Sequence, residues 1–256
     1  MMRFASLGSG SEGNGLLVSA GRTHLLLDCG FGLKESVTRL ARLGIEPAQL
    51  SGILVTHEHG DHSHGVALLA RKYQLPVWLT HGTWRSAQRA LGNLPAPNFI
   101  DPHQPFAIGD LELLPYPVPH DAAEPVQFVF ADGQHRLGVL TDVGCSTPHI
   151  IAMLSGCDAL VLECNHDSQM LADGPYPPSL QQRVGGRLGH LGNHQAAELL
   201  AQLDRSKLQH LLAAHLSQQN NTPQLALAAL CEVLNCTPDW LGIADQHSGF
   251  DWRELR

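Results

Sequence analysis

The sequence predicts an α/β protein. Apolar runs of strand length, such as Gly52-Ile53-Leu54-Val55 and Ala159-Leu160-Val161-Leu162-Glu163, alternate with stretches of helical spacing, such as residues 33–43 and 194–203. Polar chemistry gathers where a strand ends. Thr56-His57-Glu58-His59-Gly60-Asp61-His62 follows the run at 52–55 and precedes a helix start at Gly65-Val66-Ala67-Leu68. At 256 residues the chain is long enough to bury a full core as one large domain spanning 1–256.

The histidine-rich stretch carries most information. A loop between strand and helix turns alternate side chains inward, so His57 and His59 reach one metal while Asp61 and His62 point at a second position nearby. Imidazole nitrogen with carboxylate oxygen is the ligand set of zinc, iron and manganese sites. Three histidines and an aspartate within six residues argue against a merely solvated loop.

Composition bounds the rest. Hydrophobic residues at 43% and charged residues at 16% suit a compact chain and not a disordered one. No apolar run reaches bilayer length, and the N-terminal Met1-Met2-Arg3-Phe4 lacks a signal-peptide core, so a cytoplasmic protein with no membrane partner is expected. The six cysteines form no Cys-x-x-Cys pair and read as reduced thiols. A formal charge of −8 supplies no broad basic field for non-specific nucleic-acid binding, while leaving room for a local basic rim.

In chain order, residues 4–7 form a first strand that runs into Gly8-Ser9-Gly10-Ser11-Glu12-Gly13-Asn14-Gly15. Its glycines permit close backbone approach. The segment is either a loop lining an active-site mouth, its amides and hydroxyls free for a phosphate, or a plain hairpin connection. It lacks the Gly-Lys-Ser/Thr ending of a P-loop. Residues 16–20 and 24–28 read as paired strands about Gly21. Asp28, at the end of the second, is either a cap or a carboxylate that orients a metal-bound histidine through its other nitrogen. A helix over 33–43 ends at Gly44, a strand covers 76–80, and a helix covers 81–91. Arg85 and Arg89 share one face of that helix, either solvated or a docking strip for phosphates.

Strands return at 111–114, 126–130 and 136–140. His120 and Asp142 each follow such a strand and are further candidate ligands. The strand at 159–163 ends in Glu163, ahead of Cys164-Asn165-His166-Asp167. A stiff loop, Gly174-Pro175-Tyr176-Pro177-Pro178, leads into a helix through Arg183 and Arg187, followed by Gly189-His190-Leu191. Asn193 is expected to cap a helix over 194–203. The strand at 211–215 ends in His215, with Ser217, Asn220 and Asn221 behind it. Pro223 opens a helix ending near Leu234, and residues 240–256 make a closing strand and turn.

The order Asp28, His57-x-His59-x-Asp61-His62, His120, Thr141-Asp142, Glu163, Gly189-His190, His215 resembles the metallo-β-lactamase-fold hydrolases over essentially the whole chain. More narrowly, Gly8-Ser9-Gly10-Ser11 with Gly13-Asn14, Glu163-x-Asn165-His166-Asp167, Gly174-Pro175-Tyr176-Pro177, Gly189-His190-Leu191, and His215-Leu216-Ser217 with Asn220-Asn221 look like the WalJ group, also called YycJ. Gly192 departs from it, standing where a serine is expected.

The resemblance implies a four-layer αββα sandwich of two similar halves, with two divalent metal ions (zinc, manganese or iron) at one edge. It implies His57, His59 and His120 on the first metal, Asp61, His62 and His215 on the second, and Asp142 bridging. It further implies a phosphodiesterase or nuclease, DNA-exonuclease-like, in which a hydroxide between the metals attacks a phosphodiester substrate. A thioester, lactone or cyclic phosphodiester hydrolase is the alternative. Besides Asp61, the residues assigned to catalysis are Glu163 and His190, as sources of the leaving-group proton. Similar Glu and Gly-His strings occur in the tRNA-processing endonucleases of the superfamily. Against this stand a supporting role for Glu163, a turn role for His190, and His166 as a competing acid.

Overall fold

The computed structural model describes residues 1–92, 94 and 97–256. The chain opens with an antiparallel meander, β1 (Met2–Gly8), β2 (Gly15–Ala20) and β3 (Thr23–Leu27), in which Phe4 faces Val18 and Val18 faces Leu25. Crossovers follow: α1 (Leu33–Arg42), β4 (Gly52–Leu54), the one-turn α2 (Gly60–Ser63), α3 (Val66–Tyr73), β5 (Val77–Leu79), α4 (His81–Leu91) and β6 (Pro97–Phe99). The pattern then repeats. An antiparallel set, β7 (Phe106–Ile108), β8 (Leu111–Pro117), β9 (Val126–Ala131) and β10 (Arg136–Leu140), leads into α5 (Pro148–Leu154), β11 (Ala159–Glu163), α6 (Ser168–Asp173), α7 (Pro178–Val184), α8 (Asn193–Gln202), β12 (His210–Ala214), α9 (Pro223–Leu234), β13 (Gly242–Ile243) and β14 (Phe250–Glu254).

The described residues form two seven-stranded sheets, ordered β14-β1-β2-β3-β4-β5-β6 and β13-β12-β11-β10-β9-β8-β7. Each is antiparallel on one side and parallel on the other. The switch falls at β3 in one sheet and at β10 in the other.

Strand side chains alternate between faces, and here both faces are buried. Leu25 and Leu27 point into a core between the sheets with Phe4, Val18, Phe128 and Leu212. Leu26 points outward, against Leu40 of α1 and Leu69 of α3. On the far side Val129 and Leu160 meet Leu199 of α8 and Leu230 of α9. The layering is αββα, and burial on both faces explains why the strands read as continuous apolar runs.

Some expectations need correction. The loop at 56–62 contains a helical turn, α2, which begins after His59. The helix expected to run through Arg187 ends at Val184, where Gly185 and Gly186 stop it. Asn193 does not cap α8. Gly192 takes that position, its amide satisfied by Gln195 Oε1 at 2.9 Å, while Asn193 exchanges side-chain hydrogen bonds with Asn221. All six cysteines are free. Among the described residues no helix is long and apolar enough to cross a membrane.

Candidate metal centre

Strand ends from both sheets meet at one edge of the sandwich. Asp28 follows β3, Asp142 follows β10 and His215 follows β12, each with left-handed backbone, φ 61°, 56° and 55°. Among side-chain-bearing residues that conformation is tolerated best by short polar ones. It swings each side chain sharply off its strand and across the edge. The stretch after β4 is held from below by the segment after β3: Cys29 N donates to His62 O at 2.8 Å and Gly65 N to Cys29 O at 2.7 Å. Gly30 lies so close beneath that a Cβ there would overlap the Asp61 carbonyl.

The seven expected ligands come together as two groups. His57, His59 and His120 each offer a ligand atom within 4.8 Å of the others, and so do Asp61, His62, Asp142 and His215. Asp142 stands between the groups, with Oδ2 3.2 Å from His62 Nε2 and Oδ1 3.4 Å from His215 Nε2 and 3.9 Å from His120 Nε2.

The outer ring nitrogens are spoken for. His62 Nδ1 meets Asp28 Oδ2 at 2.8 Å. His57 Nδ1 meets Thr56 Oγ1 at 2.9 Å, and that hydroxyl donates in turn to Asp28. His120 Nδ1 meets Gly189 O at 3.0 Å. Such partners fix the ring so that Nε2 presents its lone pair. Among the described residues, three buried atoms at the centre, His57 Nε2, Asp142 Oδ2 and His215 Nε2, have no hydrogen-bond partner. Leaving buried polar atoms unpaired is costly, and nitrogen and carboxylate donors converging without partners fit a divalent metal. Burial works against the Asp142 carboxylate, yet the surrounding His215 and His62 imidazoles hold its pKa well below the usual range.

Glu163 is fully buried and saturated. Oε1 accepts from Asp142 N (3.1 Å) and His190 Nδ1 (2.8 Å). Oε2 accepts from Val143 N (3.1 Å) and Leu191 N (3.0 Å). It anchors two loops and a ring and does not line the cleft. His190 does line it, stacked on His215 with centroids 5.2 Å apart. Burial draws its pKa down, but the adjoining Glu163 carboxylate outweighs this and raises it. His166, the competing acid, is turned behind the site: it is buried, with Nδ1 3.3 Å from Asn165 Oδ1, and is not among the cleft-lining residues.

The glycine- and serine-rich segment is both a hairpin connection and a wall of the mouth. Ser9 Oγ accepts from His215 N at 3.0 Å, and Ser11 lines the cleft. Arg85 and Arg89 are exposed on α4 and do not line the cleft. Sequence reasoning missed three residues. The Asn14 amide lies 3.0 Å from His62 Nε2, Asn165 Nδ2 lies 3.3 Å from His215 Nδ1, and Asp121 joins the rim beside His59 and His120. Asn14 and Asn165 lie inside strings that resemble the WalJ group. Asp121 carried no signal beyond its place after His120.

Residues 23–215 match the model of the beta-lactamase superfamily domain. The chain belongs to the metallo-β-lactamase superfamily. Within that superfamily it is 38% identical over 237 residues to exodeoxyribonuclease YycJ of Bacillus anthracis, covering 91% of this chain and 89% of that one. It is 32% identical over 228 residues to exodeoxyribonuclease WalJ of Streptococcus pneumoniae, covering 88% and 85%. In fold it matches the metallo-β-lactamase-fold protein YhfI of Bacillus subtilis, with a TM-score of 0.77 at 18% identity over 99% of this chain and 100% of that one.

Proposed function

We propose that this chain is a metal-dependent phosphodiesterase acting on DNA, exonuclease-like and cytoplasmic, and that residues 1–256 act as one domain with two divalent cations. His57, His59 and His120 would hold one cation, Asp61, His62 and His215 the other, with Asp142 between them; zinc suits this donor set first, manganese or iron next. The observation that carries the reading is the pair of donor groups joined by Asp142, with buried ligand atoms left unpartnered. Kinship to the named exodeoxyribonucleases supports the substrate class.

Bound cations supply an activated water at neutral pH and Lewis-acid stabilisation of charge on the phosphoryl oxygens. The chain's own groups do the rest. Asp61 lines the cleft beside His62 and His215, where it would orient the activated water. Glu163 accepts a hydrogen bond from His190 Nδ1–H, so the protonated ring would present Nε2–H to the leaving oxygen. Glu163 is thus a positioning residue, holding both His190 and the Asp142 backbone.

A metal-replete substrate panel tests the function: bis(p-nitrophenyl) phosphate, 5′-phosphorylated single- and double-stranded DNA, RNA, a glutathione thioester and a β-lactam. Phosphodiesters should be cleaved and the β-lactam left intact, and Asp142→Ala should lose activity and at least one metal by elemental analysis. Rapid thioester hydrolysis without phosphodiesterase activity, in zinc, manganese and iron alike, would refute the reading.

A further inference from the structure

Facing the strand ends across the cleft is a wall made of α7 and the loop before it. Tyr176, Leu180, Arg183 and Val184 all line the cleft, yet α7 buries none of its residues. Leu180, Arg183 and Val184 fall three and four apart, on one helix face. An apolar face directed into a cleft, and not into a core, is available to a ligand.

Arg183 stands where this wall meets the metal centre. Its Nε donates to Asp121 Oδ2 at 2.6 Å, and the side chain is 62% exposed. The other Asp121 oxygen, Oδ1, lies 3.5 Å from His120 Nε2 and 3.9 Å from His59 Nε2. One carboxylate therefore spans from the guanidinium to the first donor group, with its backbone fixed by the bond from Asp121 N to Leu188 O. It holds the guanidinium one carboxylate's width outside the two imidazoles, so a strand with one phosphate at the donor group brings its next phosphate toward the arginine fork. An exposed arginine–carboxylate pair adds little to stability, so exchanging the partner costs the fold little. With a formal charge of −8, the chain also needs a local cation to hold a polyanion.

We propose that Arg183 exchanges Asp121 for the substrate phosphate next to the scissile one, while Tyr176 offers its ring to the intervening base. Arg183 thereby selects polynucleotide strands over diesters with a single phosphate. This rests on the phosphodiesterase reading. A guanidinium fork suits phosphate geometrically, and a ring face stacks on any base. Bis(p-nitrophenyl) phosphate has one phosphate and no base, so it gains nothing from either group.

The test compares wild type with Arg183→Ala, Arg183→Lys and Tyr176→Ala, all metal-replete. Binding of a non-cleavable fluorescent single-stranded phosphorothioate oligonucleotide is measured by anisotropy between about 50 and 200 mM salt. Arg183→Ala should weaken binding about tenfold and flatten the slope of log K against log salt by about 0.7. Arg183→Lys should restore the slope and only part of the affinity. Tyr176→Ala should weaken binding with the slope unchanged. In turnover, Arg183→Ala should raise KM for the cleavable oligonucleotide about tenfold and leave bis(p-nitrophenyl) phosphate within about twofold. Equal losses on both substrates, or oligonucleotide binding unaffected by Arg183→Ala, would overturn the inference. If the wild type cleaves no phosphodiester, the phosphodiesterase reading fails by itself. The anisotropy series then still decides whether Arg183 grips a strand, and a wild type that binds no oligonucleotide overturns the inference too.

Discussion

His190 is the residue whose role is most open to experiment. Its ring lines the cleft, stacks on His215 and donates a hydrogen bond from Nδ1–H to a carboxylate whose other hydrogen bonds all come from backbone amides. His190→Ala should keep the metal content and slow DNA cleavage by roughly two to four orders of magnitude. The loss should shrink on p-nitrophenyl esters, whose leaving group needs no proton. An equal loss on both would assign His190 to placing metal or substrate. The histidines and aspartates of the centre were legible in the sequence because a contiguous motif and a series of strand ends carry them. The place of Glu163 was not. It depends on the backbone amides of Asp142, Val143 and Leu191, contributed by two separate loops, and no residue type announces such a meeting. Asn14 was hidden for the same reason: its contact with His62 spans 48 positions.

At the level of elements, reading worked where residue type dictates a boundary. The helix at His81–Leu91 was read to the residue, and Pro223 marked the start of α9. It failed where tertiary contact chose between local options. Asn193 is a good cap by type, but its pairing with Asn221 draws it into the first turn of α8. Four caps went unread, Thr80 on α4, Thr147 on α5, Asp167 on α6 and Thr222 on α9, although each side chain accepts from the first turn of its helix. The turn from Asp245 to Gly249 braces the mouth loop: Ser9 N donates to Asp245 O, and Gln246 Nε2 donates to Gly13 O at 2.8 Å. Asp245 holds this turn together by accepting from Ser248 N, Ser248 Oγ and His247 N. The backbone bond from Ser248 leads the interactions that set its pKa below the ordinary carboxylate value. The unfolded chain, with a pKa of about 3.9, therefore takes up this proton first as the solution is acidified. The stabilisation from Asp245 is complete above about pH 4 and is lost as pH falls through the folded value. Asp245→Asn should narrow the gap between urea midpoints measured at neutral pH and at about pH 3. An unchanged gap would show that the turn contributes nothing to acid stability.

Across the whole molecule, the two sheets run the same course: antiparallel strands, a switch strand, then parallel strands with crossovers. Asp28 and Asp142 end the two switch strands. One braces a histidine from behind and the other reaches the centre itself. No sequence repeat reveals this kinship, because what the halves share is the path of the backbone and not the identity of side chains, which each half has fitted to its own helices. The sandwich brings buried acids and imidazoles from both halves to a single edge, so metal should tie the halves together. Ligand present at about a hundred times its dissociation constant stabilises by about 2.7 kcal/mol. For a chain near this length that is about 5–10 °C in Tm. Chelation should lower the melting temperature by about that much, and zinc or manganese should restore it. A melt indifferent to chelator would mean that the fold closes without metal.

The left-handed strand ends narrow what evolution or a protein engineer can write at this edge. Valine, isoleucine or threonine at position 28, 142 or 215 would fight the backbone before any chemistry was lost. Glycine and asparagine would satisfy the backbone and abandon the chemistry. Two filters thus act on the same three codons, one for shape and one for donor atoms, and aspartate and histidine pass both. A relative that had lost its catalytic role would be released from the second filter alone. Its sequence would drift there toward glycine and asparagine, a signature of lapsed function written in residues that still fold.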